Sequence, residues 1–305
     1  MRTLVRTVRR PEDSAAMSGV NSMMRHGPAL YPFTLNFKGN CACFSFIFEG
    51  KPVALTGNNP APSCLVSHRE AGDMVFRLPG KNRNAFFRAQ GIPPEKVYGL
   101  FQVHSHNVYT LGEPGHDPAF SALLPPPEVF AQKGDGIVSF APSAFLAVTA
   151  ADCLPVFLLD TENGFFAALH SGWKGTGIVV KALEIMKTRG SRPEAIAAVL
   201  GPCIQSCCYK VDEERAKHFK AEFGEDFLNK KPAEYPLGGV VRQKKSGWFI
   251  NLPAANARLL AAGGVRHIAH CTDCTFTDTR LGSFRREGAE AFTRMIAIAG
   301  PKPLL

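Results

Sequence analysis

The chain has 305 residues, 45% hydrophobic and 20% charged, with 35 Lys and Arg against 26 Asp and Glu for a formal net charge of +9. That balance excludes a disordered polymer, and no apolar run reaches the roughly 20 residues that cross a bilayer, so no membrane partner is expected. The positive excess favours anionic ligands by long-range attraction. Outside the opening MRTLVRTVRR, however, the basic residues are scattered, which reads as a solvated surface and not as a nucleic-acid footprint.

In chain order, residues 1–31 read as a poorly ordered extension and 32–305 as one domain. No apolar h-region follows the early arginines, so a secretory leader is not expected. The nine cysteines then belong to a reducing cytoplasm and serve packing, metal binding or reactivity. FTLNF and CACFSFIFEG read as strands, KNRNAFFRAQGI as a helix stopped by Pro93-Pro94, and KVYGLFQVHS as a strand with a polar end. Residues 111–136, with five prolines and four glycines, read as a long loop. SAFLAVTA, PVFLLD and GFFAALH are strand-like. A Gly-rich turn, SGWKGTG, leads into a helix with Ile178, Val179, Leu183 and Met186 on one face. AIAAVLGPC reads as a strand, and VDEERAKHFKAEFG, NLPAANARLLAAGG and EGAEAFTRMIAIAG as helices. The alternation predicts a mixed α/β (α+β) domain of mixed β-sheets flanked by helices.

Four segments put polar residues at strand ends, where such folds build sites: Gln102–Ser105, Ala151–Pro155, His170–Gly175 and Ser283–Arg286. Catalytic zinc takes three protein ligands from His, Cys and carboxylate and keeps one position open. His104, Cys153 and His170 form such a set, although their long spacing also suits ordinary packing residues.

The succession QVHS, TAADCLPV, HSGWKG, GPCIQSCCYKV and FRREG strongly resembles the YfiH/laccase-domain family, with Asn82-Arg83 similar to an N-R pair ahead of the first motif. The extra Ala in TAADC, the loose match at SHREAGDM and Lys174 in place of arginine depart from the family pattern. The resemblance implies a metal-bearing purine nucleoside phosphorylase. Its substrates would be adenosine, inosine, guanosine or methylthioadenosine with phosphate, which yield base and ribose 1-phosphate, and adenosine would also be deaminated. It further implies metal ligation by His104, Cys153 and His170.

Zinc fits those donors, with copper as the alternative. A multicopper site needs several His-x-His pairs and a blue-copper site a closed trigonal set, whereas this chain has one such pair, His104-Ser105-His106, and nine histidines. Asp152 is a candidate to orient a ligand or carry a proton. Lys174 is a candidate point charge for phosphate at the helix N-terminus after His170, and Arg285 or Arg69 a candidate bidentate clamp. The alternatives are a copper-dependent polyphenol oxidoreductase, a cysteine hydrolase with Cys153 as nucleophile and His170 as base, and a nucleic-acid-binding module. A monomer or small homo-oligomer is expected. Tyr209 is a candidate support for the site, and His106 and His116 for approach to the metal. Cys271-x-x-Cys274 with His267 and His270 lacks the second pair of a zinc ribbon. These residues and the adjacent Cys207 and Cys208 are read as packing.

Overall fold

Period-two burial divides the apolar strands between two cores. Leu154, Val156 and Leu158 face one way and Phe157 and Leu159 the other, and all are buried. The same alternation splits Ala167 and Leu169 from Phe166 and Ala168, and Ile196, Ala198 and Leu200 from Ala197 and Val199. Strands buried on both faces lose the polar alternation of a surface strand. They lie inside a stack of layers.

A computed structural model describes residues 28–48, 51–52, 61–76, 80–112, 132–224 and 237–301. Its larger sheet has seven strands, in the order Ala29–Phe33, His267–Cys271, Ile196–Leu200, Leu154–Asp160, Phe166–Ser171, Gly136–Ser139 and Val108–Leu111. The first three run parallel, the next pairings are antiparallel, and the last is parallel. A second sheet of six strands is centred on Ser63–Ser67, Met295–Gly300 and Phe145–Ala150. The helices are α1 (Lys81–Ala89), α2 (Ile178–Thr188), α3 (Glu213–Phe223), α4 (Leu252–Ala262) and the short α5 (Phe284–Glu287).

The sheets pack face to face over a core that includes Phe157, Phe166, Leu146, Val148, Met295 and Ala297. Helix α2 packs on the outer face of the seven-stranded sheet over Gly136–Ser139 and Phe166–Ser171, and α4 packs against α2. Helix α3 packs against α4 and the hairpin Val241–Lys244 with Gly247–Ile250, with Ile178, Leu183, Phe219 and Leu260 in one shared core. Helix α1 covers the outer face of the six-stranded sheet, with Phe86 and Phe87 against Phe145, Ile296 and Ile298. The expected mixed fold is therefore realised as helix, sheet, sheet and helix in succession. No described helix is long and apolar enough to cross a membrane.

Several segments differ from the sequence reading. EGAEAFTRMIAIAG was expected as a helix, but Met295–Gly300 is a central strand between Ser63–Ser67 and Phe145–Ala150. A six-residue run buried on both sides satisfies helical and strand spacing equally, and pairing with two neighbours decides it. The region after Glu95 forms only the short strand Val97–Tyr98 before leaving the sheet. The expected loop 111–136 ends in paired strands, Val108–Leu111 and Gly136–Ser139, while 113–131 lie outside the described residues. The strand His267–Cys271 and the hairpin Val241–Lys244 with Gly247–Ile250 carry no clear sequence signal. Ala29–Phe33 is an edge strand, so the sheet already takes in residues 29–31.

The connection between Leu154–Asp160 and Phe166–Ser171 shows how one buried acid closes a turn. The Asp160 carboxylate, fully buried, accepts bonds from Glu162 N (2.8 Å), Asn163 N (3.0 Å) and Asn163 Nδ2 (2.8 Å). Burial raises its pKa, but the Ser191 hydroxyl together with the Asn163 and Glu162 donors outweighs it and holds the carboxyl below its ordinary value. Stability from such a depressed pKa is present above the ordinary carboxylate range and is lost as pH falls through the folded value. Asp160→Ala is expected to lower stability by about 2 kcal/mol at neutral pH. The gap from wild type should narrow in acid, and urea unfolding at pH 7 and pH 3 measures both.

Candidate metal centre and its cavity

The chain leaves one sheet and enters the other through Ala151-Asp152-Cys153, between Phe145–Ala150 and Leu154–Asp160. His170 is a residue of the adjacent strand, and its partner across the ladder is Pro155, two residues beyond Cys153. His104 comes from the irregular segment that follows Val97–Tyr98. These three elements bring ligand atoms of His104, Cys153 and His170 within 4.8 Å of one another. Cys153 Sγ lies 3.8 Å from His104 Nε2, and the two imidazole centroids are 4.9 Å apart.

Two side chains that bear no donor atom for the centre set this arrangement. The Gln102 side chain substitutes for a strand backbone: its Nε2 donates to Thr149 O (2.7 Å), and its Oε1 accepts from Thr149 N (2.7 Å) and Thr149 Oγ1 (3.0 Å). It ties the His104 segment to the strand that leads into Cys153. Asp135, which the sequence reading missed, accepts from Val103 N (3.2 Å), His104 N (3.0 Å), Ser105 N (2.6 Å), Ser105 Oγ (2.7 Å) and His170 Nδ1 (2.9 Å). With Nδ1 donating to Asp135, the Nε2 of His170 is the nitrogen left for a ligand. Burial opposes ionisation of Asp135, but the donors from His170 and Ser105 prevail and bring its pKa down to about 2.

Backbone strain and a missing side chain complete the geometry. His104 (φ +61°) and Asp152 (φ +89°) are the non-glycine residues with left-handed φ among the described residues. Such conformations cost on the order of 1–3 kcal/mol and persist where surrounding bonds over-determine them. At His104 those bonds come from Asp135. At Asp152 they are Thr275 Oγ1 donating to Oδ1 (2.6 Å), Arg285 N donating to Oδ2 (2.7 Å), and Ile204 N donating to the carbonyl (2.9 Å). A Cβ on Gly172 would lie 2.8 Å from Cys153 Sγ and 3.1 Å from His104 Cδ2, so glycine keeps the space between the donors open.

Charge within the cluster is mutually supporting. Burial disfavours a Cys153 thiolate, but the His170 and His104 imidazoles outweigh it and lower the thiol to about 6. Burial likewise disfavours a charged His170, while the Cys153 thiolate and Asp135 raise it above its ordinary value. Two imidazoles, one ionisable thiolate, a cleared space and an anchored carboxylate fit a resident metal ion with an open position.

The centre lies on the wall of a cavity of about 510 Å³. Phe76, Tyr209, Phe284 and Phe292 supply aromatic surface, and Arg215, Arg285 and Arg294 supply cations. Phe284 is 46% exposed and meets Phe292 edge to face at 5.0 Å. Arg285 donates to Lys210 O (2.6 Å) and lies over the Tyr209 ring, Arg215 lies over Trp173, and Arg294 pairs with Asp73 (2.6 Å).

The remaining candidates fall as follows. Asp152 is on the cavity wall, but both its oxygens are engaged by protein donors. Lys174 is exposed over Trp173 and is not part of that wall. Arg69 pairs with Glu287 (3.5 Å) away from the cavity, and His106 Nε2 bonds to Thr176 O (3.0 Å). His116 lies outside the described residues. Arg215 and Arg294 were missed because neither sits in a recognisable motif.

Residues 77–302 match the family described as multi-copper polyphenol oxidoreductase laccase. The chain belongs to this family. Among its relatives, a protein of Corynebacterium glutamicum named purine nucleoside phosphorylase is 32% identical over 210 residues, which cover 68% of this chain and 76% of the relative. A Deinococcus radiodurans protein of the same name is 31% identical over 222 residues, covering 72% and 76%. A protein named adenosine deaminase RL5, from an unknown prokaryotic organism, is 33% identical over 195 residues, covering 59% and 68%. In fold the chain is similar to YlmD from Geobacillus stearothermophilus, with TM-score 0.68 at 22% identity, covering 88% of this chain and 98% of that one. It is also similar to Bacillus licheniformis YfiH, with TM-score 0.64 at 22% identity, covering 78% and 92%.

Two substitutions test the centre. Asp135→Asn leaves one amide oxygen where two carboxylate oxygens accept five bonds, so it should weaken metal binding about 10- to 100-fold, read by competition with a chromophoric chelator. Gly172→Ala should abolish binding while circular dichroism stays native, and unchanged affinity would refute the assigned packing.

Proposed function

We propose that the chain is a zinc-dependent purine nucleoside phosphorylase that also deaminates adenosine. The observation that carries this reading is the His104, Cys153 and His170 cluster on the wall of a cavity that also presents aromatic rings and arginines. Relatives at about 30% identity named purine nucleoside phosphorylase and adenosine deaminase support it. Zinc is preferred because two imidazoles and one thiolate with an open position suit its flexible four-coordinate chemistry. Copper, named in the family description, is the alternative.

The cavity offers each part of a nucleoside and phosphate pair a chemical counterpart. Phe284 and Phe292 present faces on which a purine can stack, and Arg285, Arg294 and Arg215 present cations for phosphate. In phosphorolysis a phosphate oxygen bonds to the ribose C1′ as the C1′–N9 bond breaks, giving ribose 1-phosphate and the protonated base. In deamination a water oxygen adds at C6 and ammonia leaves. When bound, the metal supplies Lewis-acid stabilisation of the charge that develops at the reacting atoms. Asp135 holds the His170 ring fixed meanwhile.

One further observation favours a second reading. Asp135, His170 and Cys153 stand in the order of an acid, base and nucleophile relay, which is the arrangement of a cysteine hydrolase. Polyphenol oxidation by several coppers is disfavoured, because among the described residues the donor groups include one with histidine.

Purified protein given adenosine and phosphate should yield adenine, ribose 1-phosphate and inosine. His170→Ala should lower both activities by at least about 10²-fold, on the scale of losing a group that acts in the transition state. Chelation that leaves activity intact while Cys153→Ala destroys it would favour the hydrolase. No product from any purine nucleoside would overturn the proposal.

A further inference from the structure

Three cysteines outside this centre also converge. The sulfurs of Cys207, Cys208 and Cys274 lie within 4.8 Å of one another, although Cys274 is remote in sequence. The turn that precedes Tyr209 explains the first two. Cys208 N and Tyr209 N both donate to Gln205 O at 2.9 Å, which wraps the adjacent cysteines round one tight corner. The segment after His267–Cys271 brings the third. Cys203 and Cys274 form an isolated parallel bridge, and Thr275 N donates to Cys203 O at 3.1 Å.

The sulfurs sit where a cation would be welcome. Gln205 N donates to Cys274 Sγ at 3.4 Å, a bond that stabilises a thiolate. Burial raises the Cys274 thiol, but backbone donors from Gln205, Thr277 and Phe276 bring it below its ordinary value. Burial and then the neighbouring Cys207 and Cys274 push the Cys208 thiol up, a penalty that a shared cation would remove. Cys207 and Cys274 border a second cavity of about 600 Å³, together with His270 and Asp273, so a fourth position is open to water. A zinc–sulfur bond of about 2.3 Å sets tetrahedral sulfur separations of roughly 3.8 Å, reached by small side-chain adjustments.

We propose that Cys207, Cys208 and Cys274 form a second metal site, specific for a thiophilic cation such as Zn²⁺ and separate from the His104, Cys153 and His170 centre. Its role is to brace. One of the joined segments leads into Tyr209, on the wall of the first cavity, and the other carries Thr275, which holds the strained Asp152. A cation shared by the two segments fixes both supports of the first centre. This inference stands whether or not the nucleoside reading holds.

The test separates the sites by variants. His104→Ala/Cys153→Ala protein, kept reduced and loaded with Zn²⁺, should retain one equivalent after gel filtration. With Co²⁺ it should show a thiolate charge-transfer band in the near ultraviolet. Adding Cys207→Ser/Cys208→Ser should remove both signals and the rise in Tm that Zn²⁺ produces. If the first pair of substitutions prevents folding, wild type should hold one equivalent more than the Cys207→Ser/Cys208→Ser variant. Metal retained equally by the serine variant, or no metal outside the first centre, would overturn the proposal. So would a Cys207–Cys274 disulfide in anaerobically prepared protein.

Discussion

Five hydrogen bonds converge on one buried carboxylate, Asp135, and the geometry of the centre depends on them. Backbone N–H groups of three successive residues must turn inward to reach it, which is why His104 adopts a left-handed φ. The same carboxylate fixes the orientation of His170. A buried charge without such partners would be costly, so the acid and its donors form a unit that persists or fails together. The chain also pins the backbone here, because His170 N donates to Asp135 O at 2.7 Å.

A second constraint comes from the crossing between sheets. Strands buried on both faces leave few places for polar chemistry, and the short passage Ala151-Asp152-Cys153 is one of them. Asp152 looks like a catalytic acid in sequence, yet its oxygens are committed to Thr275 and Arg285. It links the crossing to the start of α5, where Ser283 caps the helix by accepting from Arg286 N. Arg286 in turn donates to the carbonyls of Thr275, Phe276, Asp278 and Leu281. The late Arg pair thus divides its labour, with Arg285 at the cavity and Arg286 shaping the loop beneath it.

What could be read from the sequence followed from whether function rests on a side-chain type or on placement. The convergence of His104, Cys153 and His170 was legible through the order of the motifs that carry the family resemblance, because imidazole or thiol at a strand end suits ordinary packing equally well. Asp135 was not legible. Three of its five donors are backbone N–H groups, which any residue at 103–105 presents, and its side-chain partners Ser105 and His170 are remote in sequence. Helices α2, α3 and α4 were legible in the sequence, α2 through the spacing of Ile178, Val179, Leu183 and Met186, whereas Met295–Gly300 was not, because its pairing partners Ser63–Ser67 and Phe145–Ala150 are distant in sequence. Arg215 and Arg294 reach the cavity from elements far from any motif. The Cys274 cluster escaped for the same reason, since spacing rules for cysteine assume neighbours along the chain.

The donors of the first centre belong to three segments that meet only in the finished sandwich: one beside the six-stranded sheet, one crossing between sheets and one within the seven-stranded sheet. An unfolded chain therefore presents no preformed trio. Any ion that occupies the trio acts thermodynamically as a clasp between layers, adding about 4 kcal/mol to the stability of the native state at a free concentration a thousandfold above its dissociation constant. The metal content of a preparation and its resistance to unfolding are thus one quantity viewed from two sides.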